Sequence, residues 1–398
     1  MSGATPTVSV PAPIGWDPQG IISLRFPEIA ELARSAHHEM RTLEAELDRR
    51  ESRGDATSCP RQILRELRWR LEYTADTSGI RATLARLRSW AASPSSRSAT
   101  ARNSDEACDA CSHVWFLQLD ACVDHMLAAD FDGQTTPTRL LDRVNDPARL
   151  KDYLESLLVS RLDEDGINRR KELNFATADL VRLILWRRPR NYPWDPRLET
   201  VIRRFIAEWQ DPTTGFFGAD YLIGGRRFRT TDLSLTFHMA RYLEGGIGYW
   251  PQLIDTLFAI RDRRYPNGWL DEVGVTSHNN YDVAVLFQLG WPQMNAGQRQ
   301  RAETELMRML DWCLTAAIAP DGRILARAIG EALPESYYFT VAFLDTVGYF
   351  DPAKRFWTQR DFPEMSAVRA RLEGRLAILP QTDPMVRMAY ERLQRGGR

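Results

Sequence analysis

The sequence predicts an all-α protein, an (α/α) toroid of helical hairpins repeating about every 50 residues and completed by N-terminal helices. Three observations carry that prediction. Apolar residues recur at helical spacing while period-2 alternation is nearly absent. Four Gly-containing turns fall at near-constant intervals. Between them, strongly apolar segments alternate with segments charged on one face, as buried inner and half-exposed outer helices require.

Residues 1–25 read as a flexible N-terminal segment, starting Pro/Ser/Thr-rich with no basic or apolar leader pattern. Residues 26–398 read as one toroid domain. Its N-terminal part, 26–130, carries amphipathic helices at about 28–50, 60–75, 78–93 and 110–130. The stretch 91–106 (AASPSSRSATARNSDE) has almost no apolar residue and reads as a mobile loop.

The repeat region, 160–350, is built on LDEDGIN, QDPTTGFF, RRYPNGWLD and APDGRIL. Their glycines Gly166, Gly215, Gly268 and Gly322 are 49, 53 and 54 residues apart. Asp, Asn or Pro supplies each turn entry, and Gly the positive φ that such turns require. Eleven to fifteen residues later come Thr177-Ala-Asp179, Thr230-Thr-Asp232, Asn280-Tyr-Asp282 and Ser336-Tyr-Tyr338, each opening an apolar helix. Thr, Asn or Ser there caps orphan amides, and an acid in the first turn suits the helix dipole. Amphipathic segments at about 196–209, 250–262 and 297–315 supply the outer helices, and 351–398 reads as C-terminal helices.

Composition bounds the function. With 52 basic and 53 acidic side chains the net charge is −1, which offers no footing for a nucleic-acid or polybasic membrane partner. No apolar run reaches the roughly 20 residues of a membrane span. Five cysteines in 398 residues make no disulfide framework, so a cytoplasmic protein is expected. Cys108-x-x-Cys111 with Cys122-x-x-His125 has zinc-ligand residue types. An intervening helix would hold Cys111 and Cys122 roughly 16 Å apart, so buried thiols are expected and no metal site. Asp163-Glu164-Asp165 reads as turn chemistry, and Gly224-Gly225 lacks the Lys and Ser of a phosphate loop.

The catalytic candidates are Asp179, Asp232, Asp282 and His278. In a ring, equivalent helix starts meet at one mouth, where clustered carboxylates raise one another's pKa. Helix capping alone would also explain the three acids. His278-Asn279-Asn280-Tyr281-Asp282 adds a base and polar groups at that mouth. Asn279, Tyr281, Tyr337 and Tyr338, with Trp269, Phe217, Phe237 and Phe287, are the substrate-binding candidates, since aromatic faces hold carbocations or sugar rings. The same rings would serve as core, and His238, inside an apolar helix, reads as a core histidine.

Gly-aromatic turns and capped apolar helices at this spacing resemble the squalene-hopene cyclase, class II terpene cyclase and prenyltransferase toroid. Ile206-Ala-Glu-Trp-Gln210-Asp-Pro-Thr-Thr-Gly215-Phe-Phe217 looks like a degenerate cyclase Gln-to-Trp turn. Arg229-Thr-Thr-Asp232-Leu-Ser-Leu-Thr-Phe237-His-Met-Ala-Arg241 falls where those cyclases carry Asp-x-Asp-Asp-Thr-Ala. Thr231 stands at the family's acid position, and no Asp-Asp-x-x-Asp is present. The resemblance implies a terpenoid cyclase-like enzyme that cyclises or isomerises a small apolar isoprenoid in an aromatic-lined central cavity, with Mg2+ needed if the substrate is a prenyl diphosphate. The His278–Asp282 run also resembles, loosely, the Asn/His/Tyr set of toroid polysaccharide lyases, which implies a lyase or glycoside hydrolase instead. A non-catalytic helical-repeat binding protein is the third reading.

Overall fold

The computed structural model describes residues 9–93 apart from 52, 54 and 56, then 111–127, 138–186, 192–327, 331–381 and 383–395. These are mostly helical, as the periodicity predicts. They cluster into two units, Met1–Trp209 with Ala219–Thr230, and Gln210–Gly218 with Thr231–Arg398.

The first unit opens with a two-residue strand, β1 (Val10–Pro11), and helix α1 (Pro18–Arg25), capped by the Asp17 side chain. Ile22 of α1 is fully buried. Helices α2 (Pro27–Glu51), α3 (Ser58–Tyr73) and α4 (Thr77–Ala92) lie close to the expected bounds. The expected loop 91–106 falls outside the described residues from 94 onward. Helices α5 (Trp115–Met126), α6 (Thr138–Asp142), α7 (Pro147–Leu157), α8 (Arg170–Val181) and α9 (Leu198–Trp209) follow.

Two features of this unit depart from expectation. The first is a sheet in the order β1-β4-β3-β2, with β2 at Val159–Ser160, β3 at Asp220–Ile223 and β4 at Arg226–Arg229. Its hairpin turns at Gly224-Gly225, with φ of 53° and 76°, as a two-residue hairpin loop requires. Buried Asp220 accepts from Arg227 Nε at 2.9 Å and Arg229 Nε at 2.8 Å across that hairpin.

The second concerns cysteine. Cys59 and Cys111 form a disulfide, and Cys122 is disulfide-bonded too, where buried thiols were expected. The helical-spacing argument against zinc says nothing about Cys59, which lies 52 residues from Cys111 in sequence. Next to the bridge, buried Glu66 accepts from Arg70, from Ser112 Oγ at 3.1 Å and from the His113 amide at 2.8 Å. Burial would raise its pKa, but these donors outweigh it and hold the carboxyl below its ordinary value. Asp165 accepts the Ile167 amide within its own turn, the role expected of it, whereas Asp163 accepts the Gly224 amide of the distant hairpin turn.

The second unit carries the helical hairpins. Helices α10 (Leu233–Tyr242), α12 (Ser277–Gly290), α14 (Leu333–Thr346) and α16 (Pro384–Arg395) pack each on the next. Helices α11 (Trp250–Ala259), α13 (Ala296–Trp312) and α15 (Met365–Leu376) alternate with them in sequence. Most side chains of α12 and α14 are buried, whereas α11, α13 and α15 bury one face. Gly290 ends α12 where a Cβ would stand 2.8 Å from Trp250 Cε3, so only glycine lets α12 lie this close to α11. Among the four repeat glycines, Gly166, Gly215 and Gly322 have positive φ. Gly268 does not, and is required instead because a Cβ would lie 2.4 Å from the Arg263 carbonyl oxygen. No helix among the described residues is long and apolar enough to cross a membrane.

Candidate active site

Helix starts fix which side chains in the second unit face one another. The N-cap of α10 is Asp232, whose carboxylate accepts the Leu235 amide at 3.0 Å. The N-cap of α12 is Thr276, and that of α14 is Ala332. Counting from these caps, the fifth helical residues are Phe237, Tyr281 and Tyr337, and the sixth are His238, Asp282 and Tyr338. Asp282 is therefore the counterpart of His238. Its expected equivalence to Asp232 is off by six residues, and Asn280 lies inside the helix rather than capping it.

Asp282 is fully buried. Its Oδ2 accepts from the Tyr265 hydroxyl at 3.3 Å, and its Oδ1 has no hydrogen-bond partner. Burial pushes its pKa well up, Arg241 opposes this, and Asp232 adds to the rise. Burial of a carboxyl with one free oxygen favours its protonated form.

Tyr338 is the centre of a second constellation. The guanidinium groups of Arg241 on α10 and Arg392 on α16 lie beside it and favour its ionised form. Arg392 also lies over the Tyr338 ring at 5.6 Å, and both arginines lie over Tyr281, at 5.6 and 5.9 Å. Burial alone would raise the Tyr338 pKa, but the two cations outweigh it and bring the phenol below its ordinary value. Tyr281 goes the other way, because burial is the larger effect there.

His278 stacks on Phe339 and sits against the Tyr265 ring, with centroids 5.8 Å apart. Desolvation lowers its pKa to about 4, so the imidazole is neutral near pH 7 and serves as a polar contact rather than a cation.

The remaining candidates are placed as follows. Asn279 spends its amide on the Trp269 carbonyl at 2.9 Å. Trp269 and Phe287 pack edge to face in the core, and Phe217 is fully buried beneath Thr236, whose Oγ1 accepts its amide at 3.0 Å. The Tyr337 hydroxyl donates to the Gly322 carbonyl at 3.2 Å. Phe237 packs against Tyr281, while His238 is partly exposed and stacks on Tyr242. Asp179 belongs to the first unit, ten residues into α8, and is not part of this constellation. Burial and then the nearby Asp120 carboxylate push its pKa up, and its Oδ2 has no hydrogen-bond partner.

Sequence reasoning missed Arg241, Arg392 and Tyr265 as site residues. Arg241 closes the motif that begins at Arg229, so a signal existed for it. Nothing in the charged run of α16 distinguishes Arg392. Among the described residues no group of three or more His, Cys, Asp and Glu side chains could hold a metal ion. No family model, curated protein or solved structure matches the chain.

Proposed function

We propose that this protein is an acid–base enzyme acting on a carboxylate-bearing carbohydrate, a lyase built on the helical-hairpin repeat of an (α/α) toroid. The observation that carries the reading is Tyr338 held between Arg241 and Arg392. A phenol whose pKa is lowered by neighbouring cations gives up its proton more readily than an ordinary tyrosine, as a base in proton abstraction must. Two guanidinium groups beside it suit the negative charge that builds on a carboxylate as the adjacent C–H is deprotonated. The base takes that proton, the electron pair becomes the new C=C bond, and the neighbouring C–O bond breaks. The departing oxygen needs a proton, which protonated Tyr338 or neutral Asp282 can supply.

An isoprenoid cyclase is the second reading, favoured by one observation. Asp282 is a buried acid with an unpartnered oxygen, and burial favours the neutral form needed to protonate an alkene. The disulfide at Cys59–Cys111 bears on compartment: it favours an oxidising one over the cytoplasm, and polymeric glycans are met there.

The test is incubation with uronate oligosaccharides and, separately, with prenyl diphosphates with and without Mg2+, read by mass spectrometry. Unsaturated uronate products, lost by about 100-fold or more in Tyr338→Phe, are expected. Cyclised isoprenoid products that depend on Asp282 would establish the second reading, and turnover of neither class would remove both.

A further inference from the structure

We propose that Asp345, gripped by Lys354, is a positioning residue that holds Arg392 of the last helix against Tyr338. It deepens the reading of Tyr338 as the base, yet its test needs no substrate. The geometry is a chain of charges along α14 and α16. Arg392 Nη1 donates to Asp345 Oδ2 at 3.1 Å, and Lys354 Nζ donates to Asp345 Oδ1 at 2.5 Å. Both carboxylate oxygens are thus engaged, in a residue that is 9% exposed.

The guanidinium of Arg392 spans from that carboxylate to Tyr338. Asp345 and Tyr338 are seven residues apart on α14, two helical turns, so they lie on one face about 10 Å apart. A planar fork can meet an acceptor at each edge, which an ammonium cannot. Lys354 is one of only three lysines against 49 arginines. It needs only to be a point charge on an oxygen that Arg392 leaves free.

Charge and geometry predict opposite signs, which makes the proposal decidable. The groups facing Tyr338 are Arg241 from α10, Tyr281 from α12 and Arg392 from α16. If Arg392 stayed in place without Asp345, loss of a nearby anion would make Tyr338 easier to ionise. If Asp345 positions Arg392, its loss lets the guanidinium swing away and makes Tyr338 harder to ionise.

The experiment is a tyrosinate absorbance titration of the full chain, with the Tyr338 signal isolated by subtracting Tyr338→Phe. In Asp345→Asn the Tyr338 midpoint should rise by about one pH unit. That rise should vanish when Asp345→Asn is added to Arg392→Gln, since Asp345 would have nothing left to position. Arg392→Lys keeps the charge but not the fork and should also raise the midpoint, so the proposal stays testable if Asp345→Asn fails to fold. A midpoint that falls or stays fixed in Asp345→Asn, or stays fixed in Arg392→Lys, overturns it. Failure of every substrate panel would leave this result intact, and an unmoved midpoint would leave the lyase reaction to be judged on its own products.

Discussion

His278 lies flat on Phe339, ring centroids 3.9 Å apart and planes within 8° of parallel. The stack comes from neighbouring helices, with His278 at the second position of α12 and Phe339 at the seventh of α14. Protonation would place a desolvated cation there, which is why its pKa falls to about 4. The native state therefore binds this proton less tightly than the unfolded chain, so its contribution to stability is lost as pH falls from 6.5 toward 4. That window amounts to roughly 3 kcal/mol at most. His278→Gln should flatten it in urea melts taken between those pH values. An imidazole resonance of His278 that titrates near 6.5 would contradict this placement.

Asp232 and Asp282 should separate cleanly. Asn caps a helix as well as Asp does, so Asp232→Asn should fold with stability changed by no more than about 0.5 kcal/mol, while Asp232→Ala loses about 1 kcal/mol. Asp282 has a raised folded-state pKa, so its contribution is full below about 3.8 and is lost as pH rises through the folded value. Asp282→Asn should gain on the wild type in melting temperature as pH increases, and should abolish turnover if Asp282 is the acid. Parallel melting curves for Asp282→Asn and wild type from pH 4 to 9 would show that the carboxyl is not held neutral.

The Cys59–Cys111 bridge closes a long loop within the first unit, since the two residues are 52 apart in sequence. Cys59→Ser with Cys111→Ser should lose about 2–4 kcal/mol, read as a lowered urea midpoint. Before unfolding, Cys313 should resist alkylation, because it is buried and burial pushes its thiol up to about 12. Ready labelling of a native thiol at position 59 or 111 would refute the bridge.

Gly290→Ala tests the close approach of α12 and α11. The new methyl meets Trp250 Cε3 at 2.8 Å and Ile254 Cδ1 at 3.0 Å, so about 1–3 kcal/mol should be lost through overpacking. A pairing with Trp250→Leu should recover part of that loss. An unchanged melting temperature in the single variant would mean the two helices separate freely.

What the sequence by itself determined is local. Helical spacing and the turn glycines located most helices of both units, because each signal is read within a few residues of where it acts, whereas the caps read at Thr177, Asn280 and Ser336 lie inside their helices. The hairpin at Gly224-Gly225 escaped only because its strands are four residues each, too short for alternation to register. The site was another matter. Aligning repeats by residue type matched Asp282 to Asp232, whereas the cap of α12 is Thr276, and six residues of helix turn a side chain to a different face. Tyr338, Arg241 and Arg392 come from three helices, and Cys59 reaches Cys111 across a long loop. Such meetings depend on how helices stack and at what register, which side-chain packing decides and no short run of residues encodes.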